Sequence, residues 1–321
     1  MKKTHWYIWI LLCICLKGKY ACAQSNAQHS LYMVDIYNHN VAYAGFDRSL
    51  SVNFNYRNQW SGLEGQPSQL YLNAHLPVYL LNGGAGLSLS SDKAGGINMT
   101  DFKLSYNRVQ SFSRGIVSFG AALGFRQISL DGGSIRTPDG IYTGIFSHED
   151  PLLSVNDLSG LRPMWMASFY TANDIFDFGI SFRDLFGNKA SLGNINFLQS
   201  RQMDVYGAIP FFINDLKIQA SFYIKTSFKQ SQADLSIIMK NGNIFGGLSL
   251  RGFNENTFDS VVILGGIRLN EHYTLSYSYD VGVSALADFN QGSHEININY
   301  NLNKLIGIGL PPEIIYNPRN L

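Results

Sequence analysis

Cysteine is scarce in this chain: Cys13, Cys15 and Cys22 are the three present, all within the first 23 residues. Lys2 and Lys3 precede an apolar run from Trp6 to Leu16, long enough for the hydrophobic region of a secretion signal and short for a membrane span. Ala21-Cys22-Ala23 supplies a cleavage box before Gln24, so residues 1–23 read as a signal peptide. Two other readings are a buried N-terminal element and a lipoprotein signal modified at Cys22, although Lys19-Tyr20-Ala21 matches a lipidation site poorly. Cleavage after Ala23 would leave no cysteine, which excludes a disulfide-stapled secreted domain and thiolate chemistry.

Other absences narrow the class further. Beyond residue 23 no stretch of eighteen apolar residues occurs, which argues against a helical membrane protein. Strong basic character is also missing. The signal carries four lysines and no acid, so 20 basic and 23 acidic residues remain, and nothing favours nucleic acid as a partner. His29, His39, His75, His148, His272 and His294 are scattered without compact metal-site spacing, and no nucleophile–base motif is present. Neither a metal nor a cofactor is implied.

What is present is alternation. Leu216-Lys217-Ile218-Gln219-Ala220-Ser221-Phe222-Tyr223-Ile224 places an apolar residue at every second position. The same pattern recurs in about fourteen candidate strands: 50–56, 70–80, 85–90, 99–106, 117–125, 165–170, 176–182, 203–211, 216–228, 233–239, 244–250, 258–269, 273–279 and 294–302. Pro77 counts against the second as a strand or suggests a bulge in it. Asn82-Gly83-Gly84, Asn173-Asp174, Asn214-Asp215, Asn241-Gly242 and Asn270-Glu271 are turn signals, and Asn241-Gly242 predicts a type I′ hairpin. Aromatics and glycine are plentiful, which suits interface-seeking strand residues and turns but would suit a soluble β-sandwich too.

Periodicity by itself cannot say which face is inside. A secretion signal, strands long enough to cross the hydrocarbon layer on a tilt, and so many of them in one domain together predict an all-β fold. The fold expected is a transmembrane antiparallel β-barrel of about 14 strands. In lipid such a sheet must close, and hairpin closure favours an even strand number. The polar faces, with Asn53, Asn55, Lys217, Gln219, Ser221, Lys225, Asn297 and Asn299, then point to the lumen. The expected organisation is a signal at 1–23, a plug-like segment at 24–48, the barrel at 49–304 and a short periplasmic tail at 305–321, in the bacterial outer membrane. Pro311-Pro312 places the tail outside the last strand.

Several blocks of residues resemble a known family. His29-Ser30-Leu31-Tyr32-Met33-Val34-Asp35-Ile36-Tyr37-Asn38-His39-Asn40-Val41-Ala42-Tyr43-Ala44-Gly45 is similar to the opening signature of PorP/SprF proteins. Tyr56-Arg57-Asn58-Gln59-Trp60 with Leu63-Glu64-Gly65-Gln66-Pro67 resembles that family's first strand and following loop. Ser91-Asp92-Lys93-Ala94-Gly95, Tyr277-Ser278-Tyr279-Asp280 and Gly292-Ser293-His294-Glu295-Ile296 match later blocks. The chain departs from the family in having no proline at His39-Asn40-Val41 and no cysteine in the tail Asn317-Pro318-Arg319-Asn320-Leu321. The resemblance implies an outer-membrane barrel of type IX secretion and gliding that anchors or helps export secreted adhesins. The implied partners are a surface adhesin, the type IX translocon and periplasmic ring or peptidoglycan-associated lipoproteins, besides the lipid bilayer.

Candidate partner-binding or lumen residues follow from the interruptions of the alternation. Tyr32, Tyr37 and Tyr43 lie in a segment with neither helical nor strand period, readable as an inward-folded plug or as an irregular leader, with Gly45 turning it into the barrel. Arg57 shares the face of Ser51, Asn53 and Asn55, where a cation needs acids, water or a bound segment. Trp60 reads either as part of an inward cluster or as a girdle tryptophan at the membrane rim. His148, Glu149 and Asp150 fall in the longest interruption, 129–161, which suits an exposed extracellular loop open to partner contact or to plain solvation. A second excursion covers 184–200. Against the anchoring role stand a porin or hydrophobic-solute transporter, which would conduct, and an outer-membrane enzyme, for which no motif speaks.

Overall fold

The computed structural model describes residues 28–306 apart from 145, 151–152, 186–188, 194, 215, 255–256 and 284. The expected signal peptide and nearly all of the expected tail lie outside the described residues. Fourteen strands form a closed antiparallel barrel. In chain order they are β1 (Ser51–Asn58), β2 (Ser68–Val78), β3 (Gly83–Ala94), β4 (Ile97–Phe112), β5 (Gly115–Leu130), β6 (Leu158–Ala172) and β7 (Asp177–Arg183). Two short strands, β8 (Lys189–Leu192) and β9 (Ile195–Leu198), make a separate hairpin. The wall resumes with β10 (Gln202–Ile213), β11 (Leu216–Thr226), β12 (Ser231–Asn241), β13 (Ile244–Asn254), β14 (Thr257–Arg268), β15 (Tyr273–Gly282) and β16 (Ser293–Asn301). Each candidate strand of the sequence corresponds to one wall strand.

Closure is made by β1, which pairs on one side with β2 (Asn55 opposite Tyr71) and on the other with β16 (Asn55 opposite Asn297). No backbone edge of the wall is left for lipid to solvate, the condition a spanning sheet must meet. The alternation is inverted relative to a soluble protein. On β4, Lys103 is 6% exposed and its neighbour Leu104 is 54% exposed. The stripe Val117, Phe119, Ala121, Leu123 and Phe125 on β5 likewise faces outward, while Ser51, Asn53 and Asn55 face in.

One rim carries the short connections 79–82, 113–114, 173–176, 242–243 and 269–272; the other carries the long ones 59–67, 131–157, 184–201 and 283–292 besides the short 95–96 and 227–230. Short turns mark the periplasmic side of such barrels, so both ends of the strand wall sit there and the long loops face outward. Asn173 shows the local chemistry of a short turn: its Oδ1 accepts from the backbone N–H groups of Ile175 and Phe176, both at 2.8 Å.

Three local expectations need correction. The hairpin between β12 and β13 is centred on Gly242 and Asn243, because Asn241 pairs with Ile244. Only Gly242 has a positive φ there (+58°), which fits a type II′ turn rather than the type I′ expected on Asn241-Gly242. The second strand stops at Val78, and Tyr79–Leu81 form a 3-10 turn that ends in left-handed Asn82. Pro77 is accommodated next to that end, opposite Gly84. The 184–200 excursion is not plain loop, since β8 and β9 pair there and seat Ala190 and Leu192 against inward-facing Ile128. Four-residue strands give too short a run for alternation to be read.

A charge placed on the outer face tests the inversion. Leu123→Lys is expected to destabilise the barrel by about 2–4 kcal/mol, the cost of a lysine near the bilayer midplane. Urea titration of the protein folded into lipid vesicles would measure it, and an unchanged midpoint would place Leu123 away from lipid.

Candidate functional site

The lumen is filled by the chain's own residues 28–48. Leu31, Tyr32, Met33, Ile36, Tyr37, Val41, Ala42, Tyr43 and Phe46 all belong to the main buried cluster. The segment is irregular because three tight turns follow each other. A turn at Leu31–Val34 leads to the short helix α1 (Ile36–His39) and then to a 3-10 turn at Val41–Tyr43. Asp35 caps α1, accepting from the Asn38 N–H at 3.3 Å, and Asn40 caps the next turn, accepting from the Ala42 N–H at 3.0 Å. Such Asx caps satisfy backbone donors locally, which is why no long period appears.

At its outer end the segment is held by a buried ionic cluster. The Ser30 N–H donates to Glu295 Oε2 at 2.6 Å and its hydroxyl to Asp280 Oδ1 at 2.7 Å. Arg57 donates to Glu295 (3.1 Å), Asp280 (2.6 Å) and Ser30 Oγ (2.9 Å). Arg251 reaches Asp280 (2.5 Å), Asp234 (2.8 Å) and the His29 carbonyl (3.0 Å). Arg57 and Arg251 are among the largest fully buried side chains, so each needs these partners to be tolerated away from water. The cluster draws on β1, β12, β13, β15 and β16 together.

The remaining contacts run around the wall. Asn73 on β2 donates to Asp35 at 2.5 Å, and Tyr37 shares a 2.7 Å hydrogen bond with Ser105 on β4. Tyr32 stacks on Tyr223 with centroids 5.1 Å apart, and its hydroxyl donates to Ser236 at 2.8 Å. Tyr43 packs edge-on against Tyr170 at 5.4 Å. The carbonyl of Ala42 accepts from Asn107 at 2.6 Å and from Ser118 at 2.7 Å. A side chain at Gly120 would meet the Ala42 backbone at 2.6 Å, so the approach depends on glycine in the wall. Gly45, at φ +80°, redirects the chain, and its N–H donates to His75 Nδ1 at 3.2 Å.

Trp60 is half-buried and borders cavities at the outer mouth together with Gln28. Trp60 follows the end of β1 at Asn58 and has a left-handed φ of +55°. The long loop is folded on itself. His148 is 3% exposed, and its ring contacts the Gly132 carbonyl (3.0 Å) and the Tyr142 hydroxyl (3.1 Å). Glu149 and Asp150 remain on the loop surface. His148 bonds within its own loop, to Thr137, Tyr142 and Gly132. Sequence reasoning missed Arg251, Asp234 and the glycine approach. Arg251 continues the alternation of 244–250 by one position onto the polar face, the signal that could have found it.

The outer mouth holds a cavity of about 520 Å³ lined by Gln59, Gln69, Lys225 and Phe197, among others. The periplasmic mouth holds another of about 370 Å³. The luminal segment separates them. Among the described residues no group of three or more potential metal ligands is assembled, and no helix is long and apolar enough to cross a membrane.

A closed fourteen-strand wall with an apolar outside and a polar, filled inside is that of a multi-pass outer-membrane β-barrel. The chain belongs to the PorP/SprF family: residues 21–300 match the family described as type IX secretion system membrane protein PorP/SprF. Both the family and the barrel are non-enzymatic kinds of protein. No curated protein matches the chain. Among solved structures it is similar to engineered porins of Rhodopseudomonas blastica. A double mutant is 10% identical, covering 79% of this chain and 99% of the porin at a TM-score of 0.35. A triple mutant is 11% identical with the same coverage and a TM-score of 0.34. Likeness at this level says nothing about transport.

The ionic cluster makes a stability prediction. Arg57→Ala takes a guanidinium away from Asp280, which keeps Arg251, and from Glu295, which keeps the Ser30 N–H and Asn55; it is expected to cost about 3–5 kcal/mol, with Arg57→Lys losing less because it keeps the charge but not the fork. Urea unfolding in vesicles, followed by tryptophan fluorescence, reads both; equal losses for the two variants would show that geometry rather than charge matters.

Proposed function

We propose that this barrel anchors, or assists the export of, a type IX secretion substrate such as a surface adhesin. The observation that supports it is the filled lumen. Residues 28–48 are bonded to the wall on all sides, so the interior serves as a scaffold rather than a channel. The wide, glutamine-bearing outer mouth with Trp60 is where the secreted partner would dock, and the short-turn rim faces the translocon and periplasmic ring or peptidoglycan-associated lipoproteins. No chemical step is part of this role.

Deleting the gene is expected to release a surface adhesin into the medium without lowering its synthesis, measured by comparing cell-surface and supernatant fractions. Adhesins retained at wild-type levels would end the anchoring role. Purified full-length protein in planar bilayers is expected to be silent, while a variant lacking residues 30–47 should conduct. Steady conductance from the full-length protein would replace the scaffold with a pore. Co-purification from solubilised outer membrane separates the two versions of the role: an adhesin C-terminal domain marks an accessory anchor, ring lipoproteins a core component.

A further inference from the structure

The periplasmic cavity of about 370 Å³ has an uneven lining. Its roof is the luminal segment, with Met33, Val34 and Ile36, joined by Ile238 of β12 and Phe245 of β13. Its rim carries Lys240 at the end of β12 and Arg268 at the end of β14. The Arg268 N–H donates to the Asn243 carbonyl at 2.8 Å, which holds the end of β14 beside the turn that follows Lys240. Lys217 of β11 stands directly opposite Lys240 in the ladder. Like charges in that position destabilise a sheet unless something compensates them.

Two acids, Asp47 and Glu271, line the cavity as well, and each has a partner of its own. Asp47 accepts from the Tyr43 hydroxyl at 3.2 Å and faces His75 at 3.7 Å. Glu271 pairs with His272 at 3.4 Å on the turn surface. Asp177 is the acid that acts on Lys217. The charges acting on Lys240 itself are both positive, Lys217 and Arg268, and it has no ion pair or hydrogen bond among the described residues. A hollow of ligand size whose roof is apolar, whose remaining wall is polar, and whose mouth holds a cation with no ion pair among the described residues has the character of a small-molecule site.

We propose that this cavity binds an anionic amphiphile, with the apolar chain against Val34, Ile238 and Phe245 and the acidic head on Lys240. A neutral apolar ligand would leave the repulsion between Lys240 and Lys217 in place, and a bare anion would leave the apolar roof uncovered. The two halves of the lining therefore select a molecule that has both.

The test is calorimetric titration of the full-length protein in phosphatidylcholine nanodiscs, with empty nanodiscs as blank. Octanoate is expected to bind saturably at one site, with octan-1-ol, acetate and inorganic phosphate each weaker by at least about tenfold. Lys240→Gln should weaken octanoate by about tenfold, and Lys229→Gln, on an outer turn, should not. The ligand-free melting temperature of Lys240→Gln should be no lower than that of the parent, because a like-charge pair is relieved; Lys240→Met serves as the second variant. Octan-1-ol or phosphate binding as tightly as octanoate, or octanoate affinity unaltered in both Lys240 variants, would overturn the assignment. Adding phosphatidylglycerol to the nanodisc distinguishes the sources of such a ligand. Competition with octanoate assigns the head to a bilayer lipid, and its absence assigns it to a free acid; both support the site.

Discussion

Within the hydrocarbon layer a backbone N–H or carbonyl has no water to turn to, and each one left alone costs several kcal/mol. Everything in this protein follows from that constraint. It forces β1 to pair with β16 as well as β2, so the sheet becomes a tube. The tube turns its apolar residues to lipid and its polar ones inward. A tube of fourteen strands then encloses asparagines, serines, arginines and carboxylates that must find partners among themselves. The luminal segment supplies many of those partners. Ser30 stands between Arg57, Arg251 and Asp280, and the Ala42 carbonyl takes hydrogen bonds from Asn107 and Ser118.

The interior is thus organised in layers along the barrel axis. An outer layer of fully buried charge fixes the beginning of the segment. A middle layer of tyrosines, Tyr32, Tyr37 and Tyr43, packs it against Tyr170, Tyr206 and Tyr223 through rings and hydroxyls. A lower layer at Gly45, Asp47 and His75 turns it into the wall. A segment held at three levels by different chemistry resists removal more than any one contact would suggest, because loosening one level leaves the others bonded. That arrangement makes the interior a solid core.

Much of the wall was legible in the residues. Leu216 to Ile224 reads as a strand because successive side chains of an extended chain must point to opposite faces, and the same geometry carries Arg57 to the face of Asn53 and Asn55. Four blocks, around Ser30, Arg57, Asp280 and Glu295, each supplied a member of the ionic cluster, yet nothing within a block says that they meet. Trp60 lies beyond the end of β1, where alternation no longer places a side chain. His148 turned inward within its loop because a connection spanning 131–157 needs hydrogen bonds of its own to hold shape. The hairpin β8–β9 was invisible because four residues are too few to show a period.

By itself the sequence determined the two-sided character of each strand, the turns between them and the family. These are local properties, written in side-chain order and fixed by bond geometry. Only the tertiary structure decided which partners the inward residues take. Ser30 and Glu295 are 265 positions apart and are brought together when the sheet closes β16 onto β1. The register of that closure belongs to the whole barrel, so no stretch of the chain contains it.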